Sequence, residues 1–139
     1  GGKGTVYKFE DNEISEWIKS DELMQVNGIT ADENKLYAGT SRDGKIKSID
    51  AGTKEIKTIF SLNAGTIMDG LAKDGQGNLL ISDNAGRLFR LSPDGSSELL
   101  LNTKSRQMSI ADFEYLPAKK LLIIPTMTDN KLIAYKIKQ

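Results

Sequence analysis

The feature that most constrains this chain is a recurrence. Val26-Asn27-Gly28-Ile29-Thr30-Ala31-Asp32, Met68-Asp69-Gly70-Leu71-Ala72-Lys73-Asp74 and Ala111-Asp112-Phe113-Glu114-Tyr115-Leu116 are aligned openings. Each is followed by a short apolar run, at 35–39, 78–82 and 120–124. The leading polar residues, Asn27, Asp69 and Asp112, lie 42 and 43 residues apart. A period of about 40–45 residues is what one four-stranded propeller blade occupies. A second pattern of near-alternating strands follows in each repeat, at 45–50, 87–91 and 131–137, and a further copy at 5–10 lies upstream.

Turn residues punctuate these strands. Arg42-Asp43-Gly44, the 74–78 stretch, Asn84-Ala85-Gly86 and Ser92-Pro93-Asp94-Gly95 are hairpin sequences that supply positive φ at Gly or Asn. The expected fold is therefore all-β, built from β-propeller blades of four antiparallel strands. Residues 1–20 hold two outer strands of a blade (4–10 and 13–19), and 26–61 and 69–103 are full blades. Residues 110–139 form an incomplete last blade with strands at 110–116, 120–126 and 131–138. A β-sandwich also has short strands and turns, but it does not call for the same strand opener every 42 residues. Glu13 to Leu23 carries some helical spacing, yet the repeat frame makes it an outer strand and a connector.

Propellers close with about 4–8 blades, and these strands make little more than three. The expected partners are thus the remaining blades, from the N-terminal part of a longer parent chain or from a second copy. The Gly-Gly start, in place of Met, points to a processed or cut N-terminus.

Composition narrows the chemistry. Lys+Arg and Asp+Glu both number 19, so no basic field exists to hold nucleic acid. No apolar run nears the roughly 20 residues of a membrane helix, so no membrane partner is expected. With no Cys and no His there is no disulfide, no thiolate and no imidazole base. Gly1-Gly2-Lys3-Gly4 lacks the spacing of a phosphate loop. Lys45, Lys47, Arg87 and Arg90 read as solvated strand faces. Tyr7, Trp17, Tyr37, Tyr115 and Tyr135 read as packing between blades.

The Asn27-Gly28-Ile29 and Asp69-Gly70-Leu71 openers, with Asp32, Leu36-Tyr37, Asp74 and Gly77-Asn78-Leu79, resemble those of the regucalcin/gluconolactonase (senescence-marker-protein-like) family. Members are six-bladed propellers of about twice this length, so the resemblance implies the C-terminal half, about half of a six-bladed propeller. The closing run 109–126, with Ala134-Tyr135-Lys136-Ile137, is similar to the last blade of exported members, which implies a periplasmic or secreted protein. The resemblance further implies a divalent cation at the channel mouth, Ca²⁺ foremost and Zn²⁺ or Mg²⁺ as alternatives. Asn27 and Asp69 match its ligands, Asp69 also matches the catalytic base, and the family's Glu ligand has no counterpart. The implied activity is metal-dependent hydrolysis of a sugar lactone or similar small ester. A non-enzymatic propeller that binds a ligand or protein at its channel mouth is the alternative.

Each site residue also has a plain structural reading. Asn27 and Asp69 precede Gly, an ordinary turn signal. Asp112 shares their phase without the Gly, and would equally bond neighbouring backbone. Asp83, with Thr40 and Thr126 at matching strand ends, is a rim candidate that also reads as a turn former in Ser82-Asp83-Asn84.

Overall fold

A computed structural model describes residues 3–41, 43–106, 108–127 and 130–137. Arg42 of the first expected hairpin and position 138 of the last expected strand lie outside the described residues. Among the described residues, thirteen strands are arranged in four antiparallel sheets, each with consecutive strands as neighbours. β1 (Gly4–Glu10) and β2 (Glu13–Ser20) form a hairpin. The first full blade is β3 (Val26–Ala31), β4 (Lys35–Thr40), β5 (Lys45–Asp50) and β6 (Ile56–Ser61). The second is β7 (Met68–Lys73), β8 (Leu79–Asp83), β9 (Arg87–Leu91) and β10 (Ser97–Asn102). The last sheet has three strands, β11 (Glu114–Leu116), β12 (Leu121–Pro125) and β13 (Leu132–Lys136). Glu13–Ser20 is a strand and Asp21–Leu23 a single 3₁₀ turn, so the repeat frame prevails over the helical spacing there.

The strands alternate between two buried faces, as an inner strand clamped between sheets must. On β8, Leu79 and Ile81 enter the core shared with the first blade, while Leu80 enters the core shared with the last sheet. On β9, Phe89 and Leu91 face the first blade and Leu88 the last. On β5, Ile46 packs toward β7 and β8, whereas Ile49 packs with Leu23 and Ala38 against the β1–β2 hairpin. Three apolar seams between consecutive sheets thus replace a single central core. Tyr37, Tyr115, Tyr135 and Trp17 pack on these seams as the sequence suggests.

Three expectations fail. The strand expected over 110–116 forms only at Glu114–Leu116, with Ile110 in an isolated bridge to Thr126. Tyr7 is 64% exposed, because its hairpin has no third strand beside it among the described residues. Lys47 is not a solvated residue but is 4% exposed. Its ammonium donates to Thr58 Oγ1 (2.9 Å) and lies about 4 Å from the Glu22 and Asp43 carboxylates. These partners make burial of a charge tolerable.

The blades are also tied at the end opposite the strand openers. Asp32 takes the backbone N–H groups of Asn34 (3.1 Å) and Lys35 (2.9 Å), closing the β3–β4 turn. Its other oxygen accepts from Tyr37 (3.1 Å) and from Lys73 of the next blade (2.6 Å). At the matching position, Asp74 organises its own turn through Gln76 and Asn78.

Candidate metal centre at the blade rim

The repeat openers are not turns but bulges. On β3, Val26 pairs with Thr40 and Ile29 with Ala38, so Asn27 and Gly28 together face the single residue Gly39. On β7, Met68 pairs with Asp83 and Leu71 with Ile81, so Asp69 and Gly70 together face Ser82. The last sheet is irregular at the same phase. There Ile110 bridges Thr126 and the ladder resumes only at Glu114 with Ile123. A bulge bends its strand and re-aims a side chain, and bulges are over-represented beside active sites. Here two bulges and one break in the ladder fall at the same phase of three successive sheets.

Two glycines let the bulged strands approach. A Cβ on Gly28 would stand 1.9 Å from the Asp69 carbonyl oxygen. A Cβ on Gly70 would stand 2.6 Å from the Phe113 ring and 2.9 Å from Asp112 Oδ1. Only a residue without a side chain permits such contacts. The result is that Asn27 Nδ2 donates to Asp69 Oδ1 at 2.9 Å across the blade boundary. Asn27 Oδ1 and Asp69 Oδ2 have no hydrogen-bond partner among the described residues. Asn27 and Asp112 are exposed and Asp69 is half-buried, so the group opens to solvent.

The electrostatics follow from this placement. Burial raises the Asp69 carboxyl above its ordinary value of 3.8, and the nearby Asp112 charge raises it further. The Asn27 amide opposes both. Asp112 is held by the backbone N–H of Phe113, which donates to its Oδ1 at 2.8 Å. An amide oxygen and carboxylate oxygens are the donor set of a hard cation such as Ca²⁺. Among the described residues no group of three or more acidic, His or Cys side chains gathers at metal-ligating range. The donor chemistry therefore fits a divalent ion, but with few protein ligands.

The other rim candidate is placed differently. Asp83 is fully buried, and its Oδ1 takes the N–H groups of Ala85 and Arg87 (both 3.0 Å) while Arg87 Nε donates to Oδ2 at 2.7 Å. That is the turn-forming role, with the Arg87 charge added. Thr40 is buried and donates to Asp43, and Thr126 bonds across its own hairpin to Lys131. Sequence reasoning missed Ser82, whose hydroxyl lies under the rim. It accepts from Gly70 N–H at 2.8 Å and donates to the Ala111 carbonyl at 2.6 Å.

No protein-family model and no curated protein matches the chain. Solved structures do. A chain of a nidogen/laminin complex superposes with a TM-score of 0.74 at 15% identity, over 96% of this chain and 54% of that one. A luciferin-regenerating enzyme gives 0.67 at 18% identity, over 91% and 46%. The Cps50 (Swd1) β-propeller domain of Myceliophteria thermophila gives 0.66 at 17% identity, over 96% and 48%. The chain spans about half the length of these three structures. Extracellular domains from Bacteroides thetaiotaomicron also match, at a TM-score of 0.65. No helix among the described residues is long and apolar enough to cross a membrane. At such identities the likeness speaks for architecture alone: the chain has an all-β, β-propeller-like fold of antiparallel blades.

Proposed function

We propose that this chain supplies blades to a propeller whose channel mouth binds a hard divalent cation, Ca²⁺ foremost, through Asn27 and Asp69. In this reading the assembled propeller hydrolyses a sugar lactone or similar small ester. The remaining blades come from the parent chain or from a second copy. The observation that carries the reading is the 2.9 Å bond between Asn27 and Asp69, two residues 42 apart that occupy matching bulges of adjacent blades. It supports the ligand pair implied by the resemblance to the regucalcin/gluconolactonase family.

The bound cation would polarise a carbonyl oxygen or lower the pKa of a bound water. The chain's own contribution is Asp69. A carboxyl raised by burial and by a neighbouring charge is a stronger base than an ordinary one, which suits general-base work. Asn27 holds one oxygen of that carboxyl and leaves the other available. So few protein ligands give weak affinity, in the range of about 10⁻⁴–10⁻³ M found in extracellular Ca²⁺ modules. That range accords with a periplasmic or secreted setting.

The test is hydrolysis of a sugar lactone followed by acid release at constant pH, with Ca²⁺, with chelator, and with Asp69→Asn. The reading expects Ca²⁺-dependent turnover that chelator and the substitution both abolish. Turnover indifferent to both would overturn it.

A further inference from the structure

We propose that Ser82 is the positioning residue of this rim, fixing Asp112 of the last blade beside Asp69 of the blade before it; the inference rests on the cation reading above. Ser82 is the single residue opposite Asp69 and Gly70, and it is fully buried. Its hydroxyl accepts from the N–H of Gly70, the residue after Asp69. It donates to the carbonyl of Ala111, the residue before Asp112. One hydroxyl therefore spans the backbone on both sides of the gap between the two carboxylates. The Gly70 N–H also reaches the Ala111 carbonyl directly, at a longer 3.1 Å.

The preceding blade supplies the contrast. Its residue opposite the bulge is Gly39, which has no hydroxyl to offer, and there the strands are joined by Asn27 and Asp69 themselves. Ser41 adds only a 3.2 Å bond to the Met68 carbonyl. Ser82 is thus the device specific to the Asp69–Asp112 boundary. Beside it, the Phe113 ring and Asp112 Oδ1 lie within 3 Å of where a Cβ on Gly70 would stand, and Phe113 N–H donates to the Asp112 carboxylate.

The test uses the whole chain, ¹⁵N-labelled, as wild type, Ser82→Ala, Ser82→Cys and Asp112→Asn. Cys fills the site that Ala would leave empty and provides a poor hydrogen-bonding group, so it serves where Ala fails to fold. Without added metal, order parameters near 0.85 in wild type should fall below about 0.7 at 111–113 in the Ser82 variants. The β8 core should stay rigid. Unchanged order at 111–113 in a folded Ser82 variant overturns the proposal. In a CaCl₂ titration, loss of such an outer support should weaken binding about 10–100-fold. Asp112→Asn combined with Ser82→Ala should be no weaker than Asp112→Asn alone, since Ser82 acts through Asp112. Independent, multiplying losses overturn it as well. Absence of any Ca²⁺ response in wild type overturns the cation reading instead, and the metal-free relaxation data still decide the role of Ser82.

Discussion

Replacing Asp32 by Asn isolates the ionic part of the tie between the two full blades. Asn keeps an oxygen for the Asn34 and Lys35 N–H groups, so the turn survives while the charge facing Lys73 is lost. The Lys73 hydrogen bond leads the effects that hold the Asp32 carboxyl at about 2, against an ordinary 3.8. A shift of that size corresponds to about 2 kcal/mol between protonation states. The Asp32 and Lys73 side chains are 33% and 26% exposed, so solvent screening reduces the expected effect to ~1 kcal/mol. For a chain of this length that is about 3–4 °C in Tm. The sign is fixed by the direction of the shift. A depressed carboxyl stabilises the fold above its unfolded pKa, and the contribution fades as pH falls from about 4 through about 2. Thermal melts of wild type and Asp32→Asn should therefore differ at pH 7, and most of the difference should be gone at pH 2. A difference that stays constant across that range would refute the reasoning.

Other substitutions probe other parts of the structure. Arg87→Ala strips the buried Asp83 carboxylate of its counter-charge and should cost about 3 kcal/mol in urea unfolding; a loss below about 1 would show the pair to be dispensable. Gly28→Ala drives a methyl into the Asp69 carbonyl, so β3 and β7 must part at a cost of about 1–3 kcal/mol. The Asn27 side-chain amide resonance should move with it, and an unmoved resonance in a folded variant contradicts the close approach. Asp69→Asn removes a carboxyl whose raised value weakens the fold as pH rises through it. Its Tm should exceed that of wild type at pH 7 and match it at pH 3, and a lower Tm at pH 7 would reverse the sign.

The blade frame was legible because a strand period and a 42-residue recurrence are local signals, and β1 to β13 follow it closely. Asn27 and Asp69 were legible as a pair for the same reason, since equal phase places them at one end of adjacent blades. Their bulges were not. Asn-Gly and Asp-Gly carry the same composition in a turn as in a bulge, and only the register with Gly39 and Ser82 separates the two. Ser82 itself has no sequence signal, because its partners are contributed by two different sheets. Lys47 misled for a related reason. It alternates like a solvent-facing residue, yet Thr58 and the Glu22 and Asp43 carboxylates surround it from separate elements. Asp83 was equally ambiguous until Arg87 closed on it.

The repeat delivers Asn27 and Asp69 to one point of the rim. A double-mutant cycle of Asn27→Ala and Asp69→Ala, read by urea unfolding at pH 7, measures that meeting directly. A bond from an amide to a charged, half-exposed carboxylate predicts a coupling of about 1 kcal/mol. Effects that add within about 0.3 kcal/mol would mean that the two side chains do not touch, and the rim would lose its foundation.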